Sequence, residues 1–185
     1  MGAGLDLRPL QYTKGKNVRV FELDLEKTLT LKIKTMEKAG LQHDWITYIP
    51  IDFNDVSWIE KLIQNGFDQS KKTYFHWESV SVYLQKEVIK ETLNKISKLC
   101  VQGSILAHDF YSKIFEKVYS KTFEKMGEPL LFTIEMTEDV RNSVDALQDE
   151  SGFIIKELIL AGQKTNAGKP IYVIAVCEKK LESTN

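Results

Sequence analysis

The stretch VRVFELDLEKTLTLKIKTMEKAG, residues 18–40, decides the fold. Its first six residues, 18–23, are rich in β-formers and read as a short strand. From 26 to 39 the period changes: Leu29, Ile33 and Met36 recur at helical spacing, and Gly40 supplies the stop. A strand leading directly into an amphipathic helix is the repeating half of an alternating β/α chain.

The rest of the chain continues that alternation. A strand is expected at 46–51, a short helix around 58–64, a turn at Gly66 and a third strand at 73–77. A helix over 85–99 puts Ile89, Leu93, Ile96 and Cys100 on one stripe, and Gly103 ends it. Then come a fourth strand at 104–108 and a helix over 111–126 with Ile114, Phe115, Val118 and Phe123 apolar. After Gly127 the pattern shifts to a strand-like LLFTI run (130–134) and a polar helical stretch (138–148). The last pair, 153–160 and 171–177, joined through Asn166, Gly168 and Pro170, reads as a long antiparallel hairpin. The fold class is therefore α/β, a mainly parallel sheet covered by helices on both faces. One domain over residues 1–180 with a polar tail at 181–185 is expected.

Composition excludes several function classes. With 25 basic and 26 acidic residues the net charge is −1, so no basic excess marks a nucleic-acid binder. The Lys-rich segment 113–125 also carries Glu116 and Glu124 and reads as a solvated helix face. At 43% hydrophobic and 28% charged the chain is globular rather than disordered. No apolar run reaches the roughly 20 residues of a membrane span, and MGAGLDLRPL is not a signal peptide, so a cytoplasmic location is the default. Cys100 and Cys177 lack metal-ligand spacing and sit in apolar runs, where a small buried residue fits. His43, His76 and His108 likewise share no ligand spacing, so no metal is expected.

In parallel sheets ligands bind beyond the carboxyl ends of the strands, which makes strand-end residues informative. Gly2 and Gly4 precede a helix and would let backbone approach a ligand closely; the alternative is a flexible leader. Asp24 follows the first strand twenty residues after Gly4, the spacing at which a carboxylate accepts ribose hydroxyls; equally, it could cap the next helix. Asp52 and Phe53 end the second strand, where a carboxylate can accept from an adenine amine and a ring can pack on it. Glu78 follows the YFHW strand within an aromatic stretch, and a buried carboxylate there would need a partner. His76 reads as a core or rim residue, while His108 and Asp109 end a strand at the ligand edge.

In order, GAGLDLR, VRVFELDLEKTLTLK, YIPIDF and WESVSVYL resemble the successive motifs of the leucine carboxyl methyltransferase family, which includes tetracenomycin-type polyketide O-methyltransferases. The family pattern of a GAGxDTR loop, an F-E-V-D strand end with a later Lys, an Asp-Leu pair and an E-G-x-x-x-Y-L segment falls on residues 2–8, 21–24 with Lys32, 52–53 and 78–84. Gly66 to Asp68 and Gly103-Ser104 also match. Leu7, Phe53 and Ser79 depart from the family's Thr, Leu and Gly.

The resemblance implies a Rossmann-like fold and an S-adenosylmethionine cofactor. Gly2 and Gly4 would pass its methionine part, Asp24 its ribose, Asp52 and Phe53 its adenine, and Glu78 its methionyl end. It further implies O-methylation of a carboxylate on a small molecule or peptide, with Arg8 the candidate to hold that carboxylate; equally, Arg8 is a surface arginine on the first helix. His108 becomes the candidate base if the acceptor is a hydroxyl. Because the family's loop follows the central strand and only Met1 precedes Gly2, the chain is expected to begin beyond that strand. The alternatives are a non-catalytic remnant and, with Leu7 against it, a nicotinamide-dependent oxidoreductase.

Overall fold

Strands and helices alternate in the computed structural model, which describes residues 1–55, 57–136, 140–148, 151–161 and 170–180. The chain divides into two compact units, Met1–Asp68 and Gln69–Asn185.

In the first unit α1 (Arg8–Thr13) precedes β1 (Val20–Asp24), α2 (Glu26–Lys38), β2 (Ile46–Pro50) and α3 (Trp58–Gln64). β1 and β2 pair in parallel from Val20 opposite Ile46 to Asp24 opposite Pro50. The Ile51 N–H donating to the Asp24 carbonyl at 2.9 Å carries the ladder past the strand end. Parallel pairing requires a crossover, and α2 supplies it. Its buried stripe is Leu29, Lys32 and Met36, so the position expected for Ile33 belongs to a lysine. Gly40, at φ +69°, follows α2 in the left-handed conformation that a side chain would disfavour. Trp58 and Leu62 are the buried residues of α3, and Ile49 of β2 is likewise nearly without exposure.

The second unit contains β3 (Tyr74–Trp77), a 3-10 turn (Ser81–Tyr83), α4 (Lys86–Leu99), β4 (Ile105–Tyr111), α5 (Lys113–Lys125), α6 (Val140–Gln148), β5 (Phe153–Ala161) and β6 (Tyr172–Lys179). The strand order is β3-β4-β6-β5. β3 and β4 are parallel, while β4–β6 and β5–β6 are antiparallel, so the expected hairpin forms. Residues Leu106 to Phe110 of β4 are all buried, as expected of a strand paired on both sides and covered on both faces. β6 alternates instead, burying Val173, Ala175 and Cys177 completely. The strands form a two-stranded and a four-stranded sheet, β1-β2 and β3-β4-β6-β5.

Several sequence expectations need correction. The fourth strand does not stop at 108 but runs to Tyr111, which places His108 and Asp109 inside it. The LLFTI run is not a strand: Ile134 makes a single bridge to Ser112, and the amides of Leu131 and Phe132 turn to the Val82 carbonyl. α5 buries none of its residues, and Val118 is 62% exposed, so its apolar positions are not a core stripe among the described residues. Asn166, Gly168 and residues 181–185 lie outside the described residues.

Candidate functional site

In the first unit the chain ahead of α1 forms a strap across the end of β1. Gly2 and Gly4 have φ of +67° and +46°, conformations that L side chains rarely adopt. The amides of Gly2 and Ala3 both donate to the Leu23 carbonyl, at 2.8 and 3.1 Å. The Gly4 amide donates to Asp24 Oδ2 at 2.8 Å and the Leu25 amide to Asp24 Oδ1 at 2.7 Å. A Cβ built on Gly4 meets nothing within 4 Å, so the strap faces open space there. Asp24 is thus fixed by one backbone N–H on each oxygen. Because an ionised carboxylate has about four acceptor sites, both oxygens retain capacity for a ligand hydroxyl. The expected helix-capping role does not hold in its simple form, because Leu25 is the N-cap of α2.

Asp52 is exposed, and its Oδ1 accepts from the amide and the side chain of Asn54, both at 2.9 Å. Phe53 is 9% exposed and packs edge-on against Trp58 at 5.9 Å, so its ring belongs to the core of this unit. Arg8 is exposed and paired with Asp6 at 2.9 Å. A groove of about 500 Å³ in the same unit is lined by Arg8, Leu10, Lys14 and Trp45 but by neither Asp24 nor Asp52.

Behind the strap lies a buried ion pair. Lys32 is 1% exposed, and its Nζ pairs with Glu22 Oε2 at 2.6 Å. The same ammonium donates to the carbonyls of Asp6 at 2.6 Å and Ala3 at 3.4 Å. Burial raises the Glu22 carboxyl above its ordinary value, and the Lys32 contact opposes that rise. The signal for this pair was a lysine inside an apolar helical stripe and a glutamate inside a strand of β-formers.

The remaining candidates belong to the second unit. Glu78 is not buried: its side chain is 30% exposed and pairs with His76 Nε2 at 3.0 Å, while His76 stacks on Tyr74 at the rim. Ser79 adopts φ +58°, the left-handed conformation that explains a glycine in the family pattern. Its amide donates to Asp109 Oδ1 at 2.8 Å, and its hydroxyl lies 3.0 Å from the Tyr111 hydroxyl. Replacing Ser79 by alanine keeps the strained backbone and loses the hydroxyl contact, whereas glycine relieves the strain. The expected stability order in denaturant titration is therefore Gly at least equal to Ser, with Ala lower by about 1 kcal/mol. Alanine and glycine variants of equal stability would remove the strain argument.

Asp109 is 1% exposed, and its buried Oδ2 has no hydrogen-bond partner among the described residues. Burial pushes its carboxyl up to about 7, with nearby Glu78 adding to the rise and the Ser79 amide opposing it. His108 is also 1% exposed, bonded through Nε2 to Gln148 at 3.1 Å and packed 4.9 Å from the Phe110 ring. Burial lowers its pKa to about 4, so the ring is neutral at pH 7 and sits inside the unit rather than at an open strand end. Cys177 completes this apolar cluster, its thiol 3.4 Å from Gln148 Oε1 and raised by burial to about 11. Cys100 and Cys177 are both buried and free, as the sequence suggested. Among the described residues no group of three or more His, Cys, Asp or Glu could hold a metal, and no helix is long and apolar enough to cross a membrane.

The motifs around the strap and the first two strands are those of one family. A family model described as leucine carboxyl methyltransferase matches residues 1–97, more than half of the 185-residue chain. The chain belongs to the leucine carboxyl methyltransferase family. A Mycolicibacterium paratuberculosis protein whose name assigns it as an S-adenosyl-L-methionine-dependent methyltransferase is 28% identical over 127 residues, covering 68% of this chain and 41% of that protein. The chain thus spans about two-fifths of the length of that curated relative. Among solved structures, an S-adenosylmethionine-dependent methyltransferase from Mesorhizobium loti superposes with a TM-score of 0.67 at 13% identity, covering 96% of this chain and 88% of that one. A Methanosarcina mazei methyltransferase of the same description superposes with a TM-score of 0.66 at 14% identity, covering 98% and 91%. These likenesses concern the fold: the family member described here has the Rossmann-like α/β architecture.

Proposed function

We propose that this leucine carboxyl methyltransferase family chain binds S-adenosylmethionine and serves methyl transfer to the oxygen of a carboxylate on a small molecule or peptide. The observation that supports the reading best is Asp24, held by the Gly4 and Leu25 amides with acceptor capacity to spare on both oxygens. A ribose diol needs two acceptor sites side by side, and a fixed carboxylate presents them without further ordering. The chemistry of Gly4, Asp24 and Asp52 supports that reading. Gly4 leaves open space in front of bare backbone, and exposed Asp52 offers a second acceptor for an adenine amine. When bound, the cofactor supplies an electrophilic methyl group on a sulfonium.

A carboxylate acceptor is ionised at neutral pH and needs no general base. The protein's work would then be alignment and exclusion of water. Arg8 is the cation offered to the acceptor, which requires it to exchange Asp6 for substrate. A hydroxyl acceptor would need a base, and His108 meets that need only if its buried ring becomes accessible.

Calorimetric titration tests the reading. S-adenosylhomocysteine is expected to bind while NADH does not, and Asp24→Ala is expected to weaken binding by about 1.5–3 kcal/mol, the range for hydrogen bonds to a charged group. Unchanged affinity in that variant would reject the ribose assignment.

A further inference from the structure

We propose that Lys32 is a positioning residue for the cofactor strap, with Glu22 as its counter-charge. This inference rests on reading the strap as the cofactor cradle. The Lys32 ammonium donates to the carbonyls of Asp6 and Ala3, and its charge is paired with the Glu22 carboxylate 2.6 Å away. Those two carbonyls flank Gly4, whose amide in turn orients Asp24. The Asp6 amide also donates to the Ala3 carbonyl at 3.1 Å, closing the bend that the ammonium grips. One side chain rising from α2 therefore fixes the strap on both sides of the residue that faces the ligand. Glu22, anchored in β1, fixes the ammonium itself.

The alternative is that the pair merely joins α2 to β1. Lysine is almost never fully buried unless paired, and an apolar pair of similar volume does such joining at least as well. A buried ion pair whose cation spends its other donors on loop carbonyls is better suited to fixing backbone direction. Apolar side chains cannot do that, because they leave the Ala3 and Asp6 carbonyls unheld.

The two roles separate in the Lys32→Met/Glu22→Leu chain, compared with wild type and with Lys32→Met alone. The single variant leaves Glu22 buried and unpaired and is prone to unfold; the double variant removes both charges and keeps the core filled. Amide exchange at Gly4 and Asp6 and affinity for S-adenosylhomocysteine are measured together. In a folded double variant, strap exchange is expected to accelerate about tenfold or more while Leu29 and Ile49 amides stay protected, with affinity falling about tenfold. Unchanged strap exchange in that variant would overturn the positioning role, and so would accelerated exchange with undiminished affinity. Faster strap exchange in a protein whose wild type takes up no S-adenosylhomocysteine would uphold the clamp on the strap and refute the cofactor reading instead.

Discussion

Between pH 4 and pH 8 the wild-type chain is expected to lose about 4 kcal/mol of stability relative to Asp109→Asn. The Asp109 carboxyl has an ordinary value of 3.8 and is pushed up to about 7 in the folded protein by burial. Well below pH 3.8 both states carry the proton and the group contributes no slope. From there to pH 7 the folded state keeps a proton that the unfolded chain has released, so folding grows less favourable as pH rises. Above pH 7 the folded carboxylate is ionised and the full cost is present. About three pH units at 1.36 kcal/mol each give the quoted size. Asparagine retains an oxygen for the Ser79 amide and cannot ionise, so the difference between the two denaturant midpoints isolates this residue. Parallel stability curves for the two proteins across that window would show that Asp109 is as readily ionised in the folded chain as in the unfolded one.

Glu22→Ala is expected to cost about 3–5 kcal/mol, because it leaves the Lys32 ammonium buried beside a void. At about 2–4 °C of melting temperature per kcal/mol for a chain of this size, the drop is about 10 °C. The informative comparison is with Lys32→Met/Glu22→Leu. Removing both charges exchanges a desolvated pair for apolar contacts, so its stability should lie within about 1 kcal/mol of wild type. That non-additivity is the signature of two residues acting as one unit. A double variant as unstable as Glu22→Ala would mean that the energy resides in the strap carbonyls rather than in the pair.

How much was legible in the sequence varies with the kind of signal. Residues 26–39 declared a helix by period, and its helix and the parallel β1–β2 pair followed. The hairpin of β5 and β6 was equally plain from two long apolar runs about a loop. What the pattern could not convey was partnership. Val118 is as apolar as Leu93, yet one is 62% exposed and the other fully buried, since period reports a face and not what covers it. The LLFTI run has strand composition but spends its amides on Tyr111 and Val82, and no ladder forms. Spacing brings Gly4 and Asp24 to notice together, and in the fold the Gly4 amide donates to the Asp24 carboxylate. Lys32 and Glu22 were harder because charged residues read as surface until the tertiary structure pairs them. Asp109 was masked for a similar reason: the strand expected to end at 108 continues three residues further, carrying the carboxylate inside.

We propose that the glycine strap and Asp24 form one prepared acceptor for the ribose of an adenosyl cofactor. An amide-resolved NMR titration of the chain with S-adenosylhomocysteine tests it most directly. Saturable shifts at Gly4, Leu25 and Asn54, lost in Asp24→Ala, are the predicted result. Saturable binding that leaves those three amides unmoved would contradict it.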